Sequence, residues 1–136
     1  MQTVALPVVS SIAAGVLIVG QMALLFAVVI RRRAAKQSLG DGGDARLTAD
    51  VRRHGNYAEN AAIFVASLAL LEMMGALRWS VSVLATVFIA GRILHAIGLS
   101  QTRTVNIWRV AGVFANIGAS VTLGVRLVLV GLDHLG

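Results

Sequence analysis

Cysteine is absent from the 136 residues, which excludes a disulfide, a thiolate metal site and a cysteine nucleophile together. Charge is scarce too: 13% of residues are charged against 57% hydrophobic, and mean hydropathy is +0.83. That balance lies outside the usual range of water-soluble domains and inside that of proteins that sit in lipid. The polar stretch "SLGDGGDARL", residues 38–47, lacks the Gly-Lys-Ser/Thr ending of a phosphate-binding loop. Its Asp41 and Asp44 supply too few oxygens for a calcium loop. No histidine has a partner at ligand spacing, so no metal site is expected. A net charge of +6 would suggest nucleic acid in a soluble protein. Here the basic residues sit between apolar runs, where they set membrane topology, and a surface for stacking bases has nowhere to form.

What remains is four apolar segments, at about 4–30, 56–77, 79–99 and 107–132. They predict an all-α fold in which the whole chain, 1–136, is one integral membrane domain of four helices. The first segment, Val4 to Ile30, carries no charge; at 1.5 Å per residue it is roughly 40 Å long, more than a hydrocarbon core of about 30 Å requires. No basic residue precedes it and its apolar run is too long for a signal-peptide core, so it reads as a span. Trp79 and Trp108 fall at interface positions. Arg31, Arg32, Arg33, Lys36, Arg46, Arg52 and Arg53 lie in or beside the loop 31–51, and Arg103 and Arg109 flank the third connection, whereas the second has only Arg78. The excess of positive charge therefore puts both basic loops in the cytoplasm and both termini outside.

With that topology the polar residues converge on one leaflet. Arg52, Asn56 and Glu59 fall within an arc of roughly 60° on the second helix. Arg92 and His95 share a face near the end of the third, and Asn106 and Arg109 begin the fourth. Arg at a helix end commonly reaches to headgroups, but a mid-helix charge such as Arg92 normally faces a partner or a water-filled cavity. Several guanidiniums, one carboxylate and one amide complement a small zwitterion with more than one carboxylate. Arg109 and the positive end of the fourth helix could stabilise an anion such as a thiolate. Away from this region, Glu72 and Arg126 lie at similar depth and are expected to form an ion pair or join a buried network. Gly112, Asn116, Ser120 and Gly124 recur every four residues, a stripe expected to let helices approach closely.

Arg52-x-x-x-Asn56-x-x-Glu59, preceded by "LGDGGDARL" and followed by "GRILHAIGL" from Gly91 to Leu99, resembles the MAPEG superfamily, the membrane-associated proteins of eicosanoid and glutathione metabolism. The likeness covers nearly the whole chain and is greatest to the short bacterial members. It implies a homotrimer that takes glutathione as cosubstrate between subunits near the cytoplasmic side of a bacterial inner membrane. Arg52, Asn56, Glu59, Arg92 and His95 would hold glutathione, and Arg109 would carry the catalytic role of stabilising its thiolate. The second substrate would be a lipophilic electrophile or hydroperoxide arriving from membrane lipid. Two positions depart from the family pattern: Ala62 stands where members often have proline, and Leu99 where eicosanoid-metabolising members usually have tyrosine. With Tyr57 the single tyrosine, the resemblance implies a broad glutathione transferase or peroxidase and not an eicosanoid-specific synthase. The alternative is a non-catalytic member that binds lipid or scaffolds partners. A small exporter is disfavoured because neither Glu59 nor Glu72 falls near the bilayer midplane.

Overall fold

The computed structural model describes residues 5–100 and 106–135, so Val4 at the start of the first expected span and Arg103 in the third connection lie outside the described residues. All regular structure within them is helical: α1 Val8–Ala35, α2 Ala45–Ala58, α3 Ala61–Met73, α4 Arg78–Leu99 and α5 Ile107–Asp133. Three of these, α1, α4 and α5, are long and apolar enough to cross a membrane.

The helix α1 begins after Pro7, whose missing N–H and fixed φ suit a helix start. It continues past Ile30 through Arg31–Arg33 and stops at Lys36, which adopts a left-handed conformation. The basic cluster expected in the loop is therefore helical, and the connection shortens to residues 36–44. This connection is firmly built. Arg32 donates to the carbonyls of Ser38 and Gly40, at 3.2 and 2.9 Å, and Arg31 lies 3.9 Å from Asp44. Asp44 caps α2 by accepting from the N–H groups of Arg46 and Leu47. Asp41 accepts from the Thr48 hydroxyl at 2.6 Å and the Gly43 N–H at 3.1 Å. Both carboxyls are held below the usual carboxylate range, Asp41 chiefly by Thr48 and Asp44 chiefly by the Leu47 N–H.

The second expected span, 56–77, is not one helix. The chain breaks at Glu59, which is extended, and Asn60, which is left-handed with φ 60°. Asn enters that region more readily than most residues because its short side chain bonds locally. The helix that follows, α3, has 13 residues, about 20 Å at 1.5 Å per residue. It ends at Gly75, whose positive φ of 86° lets Ala76 N–H return to the Leu71 carbonyl.

The core joins Leu17 of α1, Phe64, Leu68 and Leu71 of α3, Val81 and Phe88 of α4, and Leu123 of α5. Phe64 and Phe88 stack with centroids 3.7 Å apart. The antiparallel pair α4 and α5 approach backbone to backbone at glycines. A Cβ on Gly112 would sit 2.6 Å from His95 N, and one on Gly98 would sit 2.6 Å from Arg109 N. At Gly91 the contact is instead with side chains, those of Asn116 and Ala115. The expected close-packing stripe on α5 is thus seen at Gly112 and Asn116, whereas Ser120 and Gly124 face a groove toward α3.

Candidate functional site

The break between α2 and α3 frees backbone carbonyls that a continuous helix would have used. The guanidinium of Arg92 supplies the missing donors: Nη1 bonds the carbonyl of Asn56 and Nη2 that of Glu59. Its cation also lies 4.7 Å from the centre of the Phe88 ring. Arg92 is 6% exposed, so the mid-helix charge singled out from sequence is directed at a helix terminus and holds Asn56 and Glu59 in place. Asn56 is further fixed by its own amide, which donates to the Arg52 carbonyl at 2.8 Å.

Arg109 is placed from the other side. Asn106 caps α5 by accepting from Arg109 N–H at 2.9 Å, and its amide donates to the Gly98 carbonyl at 2.7 Å. These bonds tie the first turn of α5 to the last turn of α4 and set Arg109 near the positive end of the α5 dipole.

Five of the expected residues line one cavity of about 450 Å³: Asn56, Glu59, Arg92, His95 and Arg109. The sixth, Arg52, is exposed and lines an adjoining depression with Asn56 and Glu59. The volume falls in the range of roughly 300–1,000 Å³ usual for small-molecule sites. On α5 the apolar side chains of Val113, Ile117 and Val121 line the cavity beside the polar Asn116 and Ser120. Among the described residues no cluster of three or more His, Cys, Asp or Glu could hold a metal ion.

The model of the MAPEG family matches residues 10–129. The chain belongs to the MAPEG family. It is also 36% identical over 77 residues to the inner membrane protein YecN of Escherichia coli K12, and equally to YecN of E. coli O6:H1. Those matches cover 57% of this chain and 59% of the relatives, so the chain spans rather more than half the length of the proteins it matches. With three apolar helices of spanning length, this MAPEG chain is an integral membrane protein.

Two features of its cavity add to what the sequence suggested. Tyr57 is buried, packs against Gly20 of α1 and lines a separate groove between α1, α2 and α4. No tyrosine hydroxyl therefore lines the cavity, since the chain has no other tyrosine. Three lining residues, Asn60, Asn116 and Ser120, escaped the sequence reading as site residues. Asn116 and Ser120 were read as packing, and Asn60 looked like helix interior. The only signal available was an asparagine next to the motif glutamate.

At the opposite end of the bundle the buried-network expectation holds with different partners. Glu72 Oε1 accepts from Val9 N–H at 3.0 Å, and Oε2 accepts from Ser10 N–H at 2.9 Å and Ser10 Oγ at 2.7 Å. Arg126 is not its ion-pair partner, whereas Arg31 pairs with Asp44 and Arg53 with Asp50.

Proposed function

We propose that this protein is a membrane-bound, glutathione-dependent transferase or peroxidase that activates the glutathione thiol for attack on a lipophilic electrophile or hydroperoxide. The observation that carries this reading is the meeting of Asn56, Glu59, Arg92, His95 and Arg109 on one cavity, with Arg52 beside it. Cations, a carboxylate and an amide at that spacing complement a tripeptide with two carboxylates and one ammonium. Arg52 offers a bidentate fork to a carboxylate, Glu59 accepts from the ammonium, and Asn56 meets the peptide backbone. Arg92 acts by holding the α2 terminus that presents Asn56 and Glu59. His95, buried on α4, closes the wall between Arg92 and α5.

Arg109 and the α5 N-terminus lower the free energy of a thiolate relative to the thiol, which raises its population at neutral pH. The sulfur then attacks the second substrate directly, with no covalent enzyme intermediate. The same positive charge stabilises charge developing on the leaving group. The apolar side chains in the cavity wall, Val113, Ile117 and Val121, suit a lipophilic molecule from the bilayer. Family membership supports a homotrimer in which a neighbouring subunit completes the site. The distribution of basic residues supports cytoplasmic basic loops and external termini, and the relatives' inner-membrane names support a bacterial inner membrane for this chain.

Calorimetric titration of reduced glutathione into the detergent-purified protein tests the reading. Saturable binding that Glu59→Gln loses is expected. Arg109→Ala is expected to raise the pKa of the bound thiol and to lower turnover at neutral pH. A folded protein that takes up no glutathione would instead favour a non-catalytic member that binds lipid or scaffolds partners. The observation favouring that second reading is the placement of Tyr57 away from the cavity.

A further inference from the structure

A second recess, of about 460 Å³, lies on the flank of the bundle where α1, α2 and α4 meet, and it shares no lining residue with the cavity above. Helices α1 and α4 run toward the end of the bundle that carries Arg31–Arg33, and α2 runs away from it. The lining residues therefore fall in order of depth. Val16 and Ile93 are the deepest, Gly20 and Tyr57 lie midway, and Arg53 and Ser100 stand at the basic end. Along α1 the recess extends from Val16 to Leu24, about 12 Å at 1.5 Å per residue.

Two hydrogen-bond donors sit at successive levels of this otherwise aliphatic wall. The Tyr57 hydroxyl lies against Gly20, where an added Cβ would collide with it. Among the described residues the hydroxyl has no hydrogen-bond partner, yet it is not one of the unpartnered atoms sealed from solvent, which are Arg53 Nε, His54 Nε2, Arg92 Nε and Asn116 Oδ1. It therefore opens on the recess that Tyr57 lines. One helical turn nearer the basic end, Arg53 gives Nη2 to Asp50 at 2.9 Å, and its side chain remains 23% exposed. A guanidinium has five N–H donors, so Arg53 keeps donors for a ligand. Ser100 does not, because its hydroxyl is taken by the Ala96 carbonyl at 3.0 Å.

We propose that this recess is a binding site for one anionic phospholipid of the surrounding bilayer. Arg53 binds the phosphate, the Tyr57 hydroxyl donates to an ester carbonyl, and an acyl chain runs past Val19 toward Val16 and Ile93. That order is the lipid's own, since its ester carbonyls lie below the phosphate and its chains below both. A fatty acid has a single polar head and would leave one of the two donors unmet, at a cost in apolar surroundings. Arg31–Arg33, Arg46, Arg52 and Arg53 at this end favour an anionic headgroup over a neutral one. The site is independent of the glutathione reading, and the titration of glutathione does not bear on it.

The test gives the detergent-purified protein equal amounts of dimyristoyl phosphatidylglycerol and its dialkyl ether analogue, and reads bound lipid by native mass spectrometry. The two share headgroup and chain length and differ in the ester carbonyls. In the wild-type protein the diester is expected to bind about fivefold more tightly. Tyr57→Phe is expected to remove that preference, and Arg53→Gln to weaken both lipids about tenfold while keeping it. Equal binding of diester and diether to the wild-type protein overturns the proposal, whether or not the variants fold. A preference that persists in Tyr57→Phe overturns it too. So does displacement of the diester by an equal concentration of myristate, which would make the recess a fatty-acid site.

Discussion

Two buried charges at opposite ends of the bundle solve the same problem with opposite signs. Arg92 donates to carbonyls at the C-terminal end of α2, and Glu72 accepts from N–H groups at the N-terminal end of α1. Each is nearly inaccessible, at 6% and 4% exposure, and each satisfies groups that lipid cannot. A charge inside an apolar helix is therefore not by itself a mark of chemistry. What separates the two ends is the surroundings. Arg92 sits at a helix break that opens a cavity lined by Glu59, His95 and Arg109, whereas Glu72 has both oxygens engaged by the start of α1.

The largest effect is expected from Glu72→Leu, which removes three hydrogen bonds to a carboxylate and leaves one buried and one part-buried N–H group without acceptors. A loss of about 3–5 kcal/mol should appear as a lower unfolding midpoint in detergent, with Glu72→Gln recovering part of it. Glutathione affinity of the folded fraction should be unchanged. If Glu72→Gln abolished glutathione binding while the assembly stayed intact, the contrast between the two ends would collapse.

Arg92→Leu should cost somewhat less stability, about 2–4 kcal/mol for two unmet carbonyls and a lost ring contact. Unlike Glu72→Leu, it should also weaken glutathione binding, because the terminus carrying Asn56 and Glu59 loses its anchor. Arg92→Lys keeps the charge without the two-pronged geometry and should recover only part of both properties. Calorimetry and thermal unfolding on the same samples separate the two losses.

How far this contrast could be read in advance differs by region. The three long helices were legible because α1, α4 and α5 are set by long, predominantly apolar runs, and their observed ends fall within a few residues of the expected ones, apart from the basic turn that extends α1. The break at Glu59–Asn60 was not legible. Residues 56–77 contain no proline, Ala62 occupies the position where relatives often have one, and nothing local opposes a helix. The break is held by Arg92, more than thirty residues away, and such tertiary hydrogen bonds leave no periodic trace. The same limit applied to Glu72, expected to pair with Arg126 or join a buried network, whose partners turned out to be the Val9 and Ser10 N–H groups and the Ser10 hydroxyl. For the cavity, charged residues at helical spacing were conspicuous, whereas Asn116 and Ser120 were absorbed into a small-residue stripe because spacing alone does not say which helix a face meets.

A smaller effect is expected where the two helices bearing the cavity touch. Gly112→Ala places a methyl 2.6 Å from His95 N and 2.7 Å from the Gly91 carbonyl, backbone atoms that cannot swing aside. The α4–α5 spacing must widen, at a cost of about 1–3 kcal/mol. Because His95 and Arg109 ride on those helices, glutathione affinity should fall with it. Gly118→Ala, whose added methyl meets nothing within 4 Å, is the matched control on α5.

The smallest effect belongs to the loop between α1 and α2, outside the apolar segments. Asp41 and Asp44 are held below the usual carboxylate range by the Thr48 hydroxyl and the Leu47 N–H, the largest cause in each case. A lowered folded-state pKa means the folded chain binds these protons less readily than the unfolded one. The stabilisation is fully present above the unfolded value, near pH 4, and is lost as pH falls through the lower folded values. Acidification below about pH 4 should therefore fray the start of α2, read as faster amide exchange at Arg46 and Leu47, before α4 and α5 respond. Asp44→Ala should give that local fraying at neutral pH and flatten its acid dependence. Neither change should disturb the end of α1 fixed by Glu72, because loop and cap lie at opposite ends of the same helix; simultaneous exchange at Val9 and Ser10 would mean that α1 opens as one unit.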